Sequence, residues 1–293
     1  MEVNFHIPHS LAPLVHVIWE QRSSGSSAWR ILPSGKVELI FNLGPRMDRV
    51  EGKRVGGSFD PTAWFCFLSG LHTRPLDMSF HNFHVIGVQM EPIAVKALFG
   101  IPCEEVRDWA VHGEELLTEI HMIEDHLRGP GTFHQKACWL ESLLHGLFVR
   151  SPDIAQAVQL RSAVAVMVAE GKEGQRVRPE DRLGYSRMHT NRLFKEWMGL
   201  PPGAYLRLQR FVGAVHHLHG SSGELTSVAY ANGYHDQAHF IHSFQTSREW
   251  HRVATAHCGR NCPDNSRCDV TPVQAGLGHR SLLCDLTDRT SRP

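Results

Sequence analysis

No stretch of this 293-residue chain approaches the run of about 18 apolar residues that a membrane-spanning helix needs. The start, MEVNFHIPHSLAPLV, lacks the basic residue, apolar core and small-residue cleavage site of a secretory leader. A cytoplasmic protein with no membrane partner is expected. Excess charge of one sign is also missing, since 30 Lys+Arg balance 30 Asp+Glu. Taken whole, that balance argues against nucleic acid, because neutralising phosphates calls for a basic surplus. No nucleophile elbow, P-loop, Gly-rich dinucleotide fingerprint or outstanding carboxylate pair occurs. The chain is therefore expected to be no enzyme, with no catalytic residue and no cofactor. What remains is an ordinary globular composition, 42% hydrophobic and 20% charged, at a length for which two domains are the natural prior.

The balanced charge is a cancellation. Residues 1–153 carry 13 basic and 18 acidic side chains, residues 154–245 carry 10 and 7, and the rest carry 7 and 5. Between Arg176 and His217 eight basic residues face only Glu180, Asp181 and Glu196. A compact basic stretch on an otherwise acidic chain suggests a surface that meets phosphate.

The 7 cysteines are odd in number and unevenly placed. Cys66, Cys103 and Cys138 read as buried small apolar residues. Cys258, Cys262, Cys268 and Cys284 crowd the end, but their spacing lacks the paired C-x2-C form of a zinc finger. Neither a disulfide framework nor a metal site is expected. His6-x2-His9 and His81-x2-His84 read as surface or core histidines, because i and i+3 on a strand face opposite sides.

From Ala28 to Met90 short strands alternate with turns, most clearly at Val37, Leu39, Phe41 and Leu43 after the Pro33-Ser34-Gly35 turn, and at His84, Ile86, Val88 and Met90. A small β-barrel or sandwich is expected. From Glu91 onward the apolar spacing becomes helical, through Ile93, Val95, Leu98, Val106, Trp109, Leu116, Ile120, Ile123, Leu127 and Trp139 to Leu147. Ser151-Pro152-Asp153 reads as a hinge before a second helical unit.

That unit contains two helix-turn-helix patterns. In the first, Arg182-Leu183-Gly184-Tyr185-Ser186 reads as a helix end, a Gly turn and a Ser N-cap. The helix RMHTNRLFKEWMG follows, with Met188, Leu193, Phe194 and Trp197 as apolar contacts and Gly199 at its end. In the second, Leu225, Val228 and Ala229 form a first helix, Gly233-Tyr234 the turn, and DQAHFIHSFQ the second helix. A helix bearing Tyr205, Leu208, Val212 and Val215 joins them. Two recognition helices held about 34 Å apart can enter successive major grooves.

The segments GYSRMHTNRLFKEWMGLPPGAYLRLQRF and GYHDQAHFIHSF together resemble the paired helix-turn-helix domain of the AraC/XylS family of bacterial transcription regulators. RILPSGKVELIFNLG and GVQMEPIAVKALFGIPCEEVRD are similar to the cupin-like regulatory half of one branch of that family. The resemblance implies an α+β chain with a cupin-like β-barrel and appended helices over 1–150 as sensor and dimerisation domain. It places an all-α double helix-turn-helix domain over 154–252, leaving 253–293 as a disordered tail outside the homology. Its reading face falls on Arg187, Met188, Asn191 and Arg192 in the first unit, with Lys195 a candidate phosphate contact. In the second unit it falls on Gln237, Ala238, His239, Ile241 and His242. Arg207 and Arg210 lie on the connecting helix, where phosphate contact and pairing within the domain are equally open. His189 resembles a packing or capping histidine.

Four departures from the family pattern stand out. The first helix of unit one is about one turn short, since VRPEDRLGYS passes directly from Asp181 to Arg182, and Thr190 stands where Leu is usual. In unit two His242 replaces a common Arg, which makes charge there pH-dependent. After Gln245 the family continues Phe-x-Gly-x-Ser/Ala-Pro-x-x-Tyr, whereas this chain reads TSREWHRVATAH. Permitted codons for those residues, read two nucleotides in, spell FTGVAPSRYRP, so the sequence from about Thr246 onward reads as a shifted frame. Sequencing codons 244–258 of the gene tests this.

The function implied is a sequence-specific regulator that binds double-stranded DNA, responds to a small-molecule effector, and acts as a homodimer, meeting RNA polymerase if it activates. The effector site is not legible in the sequence. The alternative is a ligand-binding, dimerising protein whose DNA-binding domain has degenerated.

Overall fold

The computed structural model describes residues 2–44, 48–51, 65–220, 225–235 and 283–285. Its N-terminal half is built on two antiparallel sheets. The first orders β1 (Glu2–His6), β2 (Val15–Arg22), β8 (His84–Met90), β4 (Val37–Asn42), β6 (Cys66–Ser69) and β9 (Ala110–His112) side by side. The second orders β10 (Leu283–Asp285), β3 (Ser26–Ile31), β7 (Leu76–His81) and β5 (Asp48–Glu51). Neither order returns on itself, so the described residues form two open sheets that do not close into a barrel. The alternating strands β4 and β8 lie where the sequence predicts them and pair Val37 with Met90 through Asn42 with Val85.

β1, β2, β9 and β10 lie outside the segment expected to hold strands, and for β2 and β9 the reason is physical. β2 buries Val15, Val17, Ile18, Glu20 and Gln21, so both of its faces are covered and the period-2 signal disappears. β9 falls within a stretch whose apolar spacing reads as helical. There Asp108, at φ 56°, turns the chain so that Ala110–His112 pairs with β6. At the far end, Leu283–Asp285 pairs with β3 although the sequence predicts a tail without structure there; residues 236–282 lie outside the described residues.

One face of the first sheet carries Val37, Leu39, Phe41, Leu68, Ile86 and Val88 into the main core. The other face gathers Ile40, Phe67, Phe83 and Val85 into a smaller cluster. The main core continues through α1 (Ile93–Phe99), α3 (Ile120–Arg128) and α4 (Phe133–Arg150) into the C-terminal helices. Between these helices lies the single turn α2 (Gly113–Leu116). α4 starts at a capping box, in which Thr132 accepts from the Gln135 backbone and the Gln135 side chain reaches back.

The expected hinge at Ser151-Pro152-Asp153 is pinned rather than free. Ser151 Oγ donates to the Ala97 carbonyl of α1 and accepts from Asp153 N at 3.2 Å. Beyond it come α5 (Ile154–Lys172), α6 (Pro179–Leu183), α7 (Arg187–Met198), α8 (Pro202–Gly220) and α9 (Leu225–Ala231). α1 packs against both α5 and α7, and the 3-10 turn Cys103–Val106 packs against α7. The two halves thus share one core.

Candidate nucleic-acid interface

α6 and α7 form the first helix-turn-helix. The turn works because Gly184 takes φ 70°, a left-handed conformation costly for residues with a Cβ. Ser186 then caps α7 by accepting from His189 N at 3.3 Å. α6 has 5 residues, as the missing turn in the sequence implies, and is held to α5 by an Arg182–Glu170 ion pair.

α7 divides sharply into an open face and a buried one. Leu193, Phe194, Trp197 and Met198 are buried. Arg187, Met188, Arg192 and Lys195 are exposed, and Asn191 is half-buried. Met188, one of the apolar contacts expected from the sequence, is instead 84% exposed and belongs with the outward side chains. The side chains expected to form the first-unit reading face therefore come together on one surface at the start of the helix. Behind it, Tyr185 and His189 rings lie 4.4 Å apart, and His189 Nδ1 meets Arg192 Nη2 at 3.2 Å. That contact steadies the Arg192 guanidinium.

Beside this face lies a cleft of about 350 Å³, lined in part by Arg176, Arg178, Arg187 and Asn191 and by the start of α8 at Pro202 and Gly203. Three guanidinium groups around a concave, mostly polar surface suit an anionic oxygen cluster. Arg176 and Arg178 precede the helix-turn-helix, and the sequence marks them only by charge. Arg207 is exposed on α8. Arg210 turns inward, with its guanidinium 5.8 Å from the Tyr234 ring and its Nε buried.

The opposite end of α7 is clamped to the N-terminal half. Lys96 of α1 pairs with Glu196 and lies 4.8 Å over the Trp197 ring. Arg107 Nη1 donates to the Gly199 carbonyl at 3.4 Å. Gly199 ends α7 at φ 74°, and a Cβ there would sit 3.1 Å from Cys103 Sγ, so a glycine is needed for both backbone and space.

Thr190 is 1% exposed and its hydroxyl has no hydrogen-bond partner among the described residues. An orphaned buried hydroxyl costs about 1–3 kcal/mol. Thr190→Val is accordingly expected to raise denaturant stability by about 1–3 kcal/mol, measured at the urea midpoint with unchanged slope. A loss of stability would show that the hydroxyl is paired.

Of the second helix-turn-helix, α9 and its turn are described. Asn232 donates to the Val228 carbonyl at 2.8 Å, and Val228, Ala229 and Tyr234 are buried. Gln237, Ala238, His239, Ile241 and His242 lie outside the described residues.

Residues 180–249 match the family model described as a helix-turn-helix domain, and residues 5–112 match one described as a domain of unknown function (DUF6597). Residues 180–249 are thus an AraC-type helix-turn-helix domain. The match starts within α6 and ends close to where the family's closing motif is replaced. None of the curated proteins compared matches the chain. Among solved structures, an apo point variant of ToxT from Vibrio cholerae is similar at 12% identity and a TM-score of 0.42, over 79% of this chain and 93% of that one. Wild-type ToxT from Vibrio cholerae bound to an unsaturated fatty acid gives 8% identity and a TM-score of 0.42, over 80% and 92%. Among the described residues, no helix is long and apolar enough to cross a membrane.

Proposed function

We propose that the chain is an effector-responsive regulator that reads promoter DNA through Arg187, Met188, Asn191 and Arg192 of α7. In this reading the matching face of the second unit reads the next major groove. The observation that carries the proposal is the accessible, Arg- and Asn-bearing start of α7, set beside the arginine-lined cleft. Arg suits guanine and Asn suits adenine by two-point hydrogen bonding. The cleft takes a backbone phosphate and so sets the register of the helix. Arg207 and Lys195 add phosphate contacts. Arg210 serves the domain's own packing.

The N-terminal half is the sensor, and the helices between about 103 and 148 carry the contacts of a homodimer. An effector acts by favouring one arrangement of the two halves over another, and an activating form meets RNA polymerase. The short α6 and the orphaned Thr190 hydroxyl favour a second reading, in which the DNA-binding domain has degenerated and the chain acts by dimerising.

Anisotropy titration against the region upstream of the protein's own gene, repeated at several salt concentrations, separates the two. Sequence-selective binding supports the regulator, and weak binding equal on all DNA supports the degenerate form. Arg192→Ala is expected to cost about 1–3 kcal/mol on the preferred site and to relax preference at one base pair. Arg176→Ala is expected to weaken binding uniformly and to reduce the salt slope by about 1. An Arg192→Ala protein with unchanged affinity and preference removes that residue from the reading face.

A further inference from the structure

Far from α7, the fold assembles a cluster that no spacing in the sequence announces. His134 and Cys138 are four residues apart on α4, so they stand one above the other on the same face. The edge strand β1 brings His6 up to them. The donor atoms of the three side chains all lie within 4.8 Å of one another. His134 Nε2 and Cys138 Sγ are 3.6 Å apart, and the His6 and His134 rings meet edge to face at 5.5 Å. Next on the same helix, Glu141 holds His6 Nε2 at 2.6 Å and accepts from Ser10 N at 3.0 Å.

From this arrangement we propose a zinc site formed by His6, His134 and Cys138, with Glu141 positioning His6. Two imidazoles and a thiol are the donor set that Zn²⁺ takes, and hard ions such as Mg²⁺ and Ca²⁺ avoid it. Zn–N near 2.0–2.1 Å and Zn–S near 2.3 Å in a tetrahedron put donor atoms about 3.3–3.6 Å apart. The His134–Cys138 separation already matches. The remaining gap of about 1 Å closes by side-chain rotation, and His134 and Cys138 are both exposed. The Glu141–His6 pair is the carboxylate–histidine arrangement that fixes the tautomer and direction of a metal-bound imidazole. Fixed in turn by Ser10, the Glu141 carboxylate is directed before any ion arrives. Water completes the shell. Binding releases the Cys138 thiol proton to solvent, leaving the thiolate on the ion.

Such an ion ties β1, the edge of the first sheet, to the 18-residue helix α4. That makes the seam between the sheet and the helical layer responsive to zinc. The cysteines at 258, 262, 268 and 284 are a competing set of donors, so the test must separate the two.

Full-length protein is stripped with chelator under reducing conditions, incubated with ZnCl₂, passed through a desalting column and assayed for retained zinc. One equivalent is expected in the wild type and in a variant with Cys258, Cys262, Cys268 and Cys284 all changed to Ser. It is expected to be lost in His134→Ala and in Cys138→Ser, two exposed positions whose apo proteins should melt with apo wild type. Glu141→Gln is expected to weaken binding by about 10–100-fold. Co²⁺ loading adds a second measurement, a thiolate-to-cobalt charge-transfer band present in the wild type and absent in Cys138→Ser. The proposal is overturned if the wild type retains no zinc, or if His134→Ala and Cys138→Ser retain as much as it does.

Discussion

Replacing Glu91 by Ala is expected to destabilise the protein by about 3–5 kcal/mol, the cost of stranding buried or half-buried cations without their counter-charge. A single oxygen, Glu91 Oε1, lies 2.9 Å from His16 Nε2, 2.8 Å from Lys36 Nζ and 3.8 Å from Arg161 Nη2. His16 lies on β2, Lys36 immediately before β4 and Arg161 on α5, so the cluster stands between the two halves. Burial by itself would raise the Glu91 pKa, but the His16 hydrogen bond and the nearby Lys36 charge outweigh it and hold the carboxyl at about 2. Because the folded pKa lies below the unfolded value, this contribution is fully present above about pH 4.5 and is lost as pH falls through about 2. The shift corresponds to about 3 kcal/mol. Urea denaturation between pH 5 and 2 should therefore show a drop of that size in the wild type and a clearly smaller one in Glu91→Gln. Equal drops in both proteins would place the acid-sensitive charge elsewhere. A double-mutant cycle between Glu91 and Arg161 reads how much of the coupling spans the two halves.

Trp197→Ala is expected to cost about 3–5 kcal/mol, in the range for emptying a buried aromatic site. Trp197 is among the largest fully buried side chains, and its ring lies under Lys96. The same change should abolish selective DNA binding, because the buried face of α7 sets the direction in which Arg187 and Arg192 point. Trp197→Phe keeps most of the apolar volume, so it should retain selectivity at a smaller loss of stability. A Trp197→Ala protein that kept wild-type stability and selectivity would mean that α7 is oriented by other contacts.

Where one face of an element is covered and the other open, its sequence announces it. β4 and β8 alternate, and α7 carries its Ser cap, its Gly stop and an apolar stripe of Leu193, Phe194 and Trp197. Where that asymmetry fails, the pattern fails with it. β2 is covered on both faces and so shows no period of two. β9 is a three-residue edge inside a run with helical spacing. Met188 has the apolar character of a core residue, but its position on α7 decides against it. Arg176 and Arg178 enter the cleft only because the start of α6 is folded back beside α7 and α8.

By itself the sequence determined the local matters: where helices begin and end, which half carries the basic surface, and that a helix-turn-helix follows the β-rich segment. These depend on neighbours within one or two turns, so a window of residues contains the whole cause. The tertiary structure decided what depends on distant partners. It arranged in two open sheets the strands that the sequence leaves open between barrel and sandwich, turned Arg210 inward toward Tyr234, and gathered His16, Lys36, Glu91 and Arg161 around one carboxylate oxygen. It also set His6 against His134 and Cys138 across more than a hundred residues of chain. Side chains so far apart in sequence are brought together by the packing of a shared core, which no short stretch of sequence encodes.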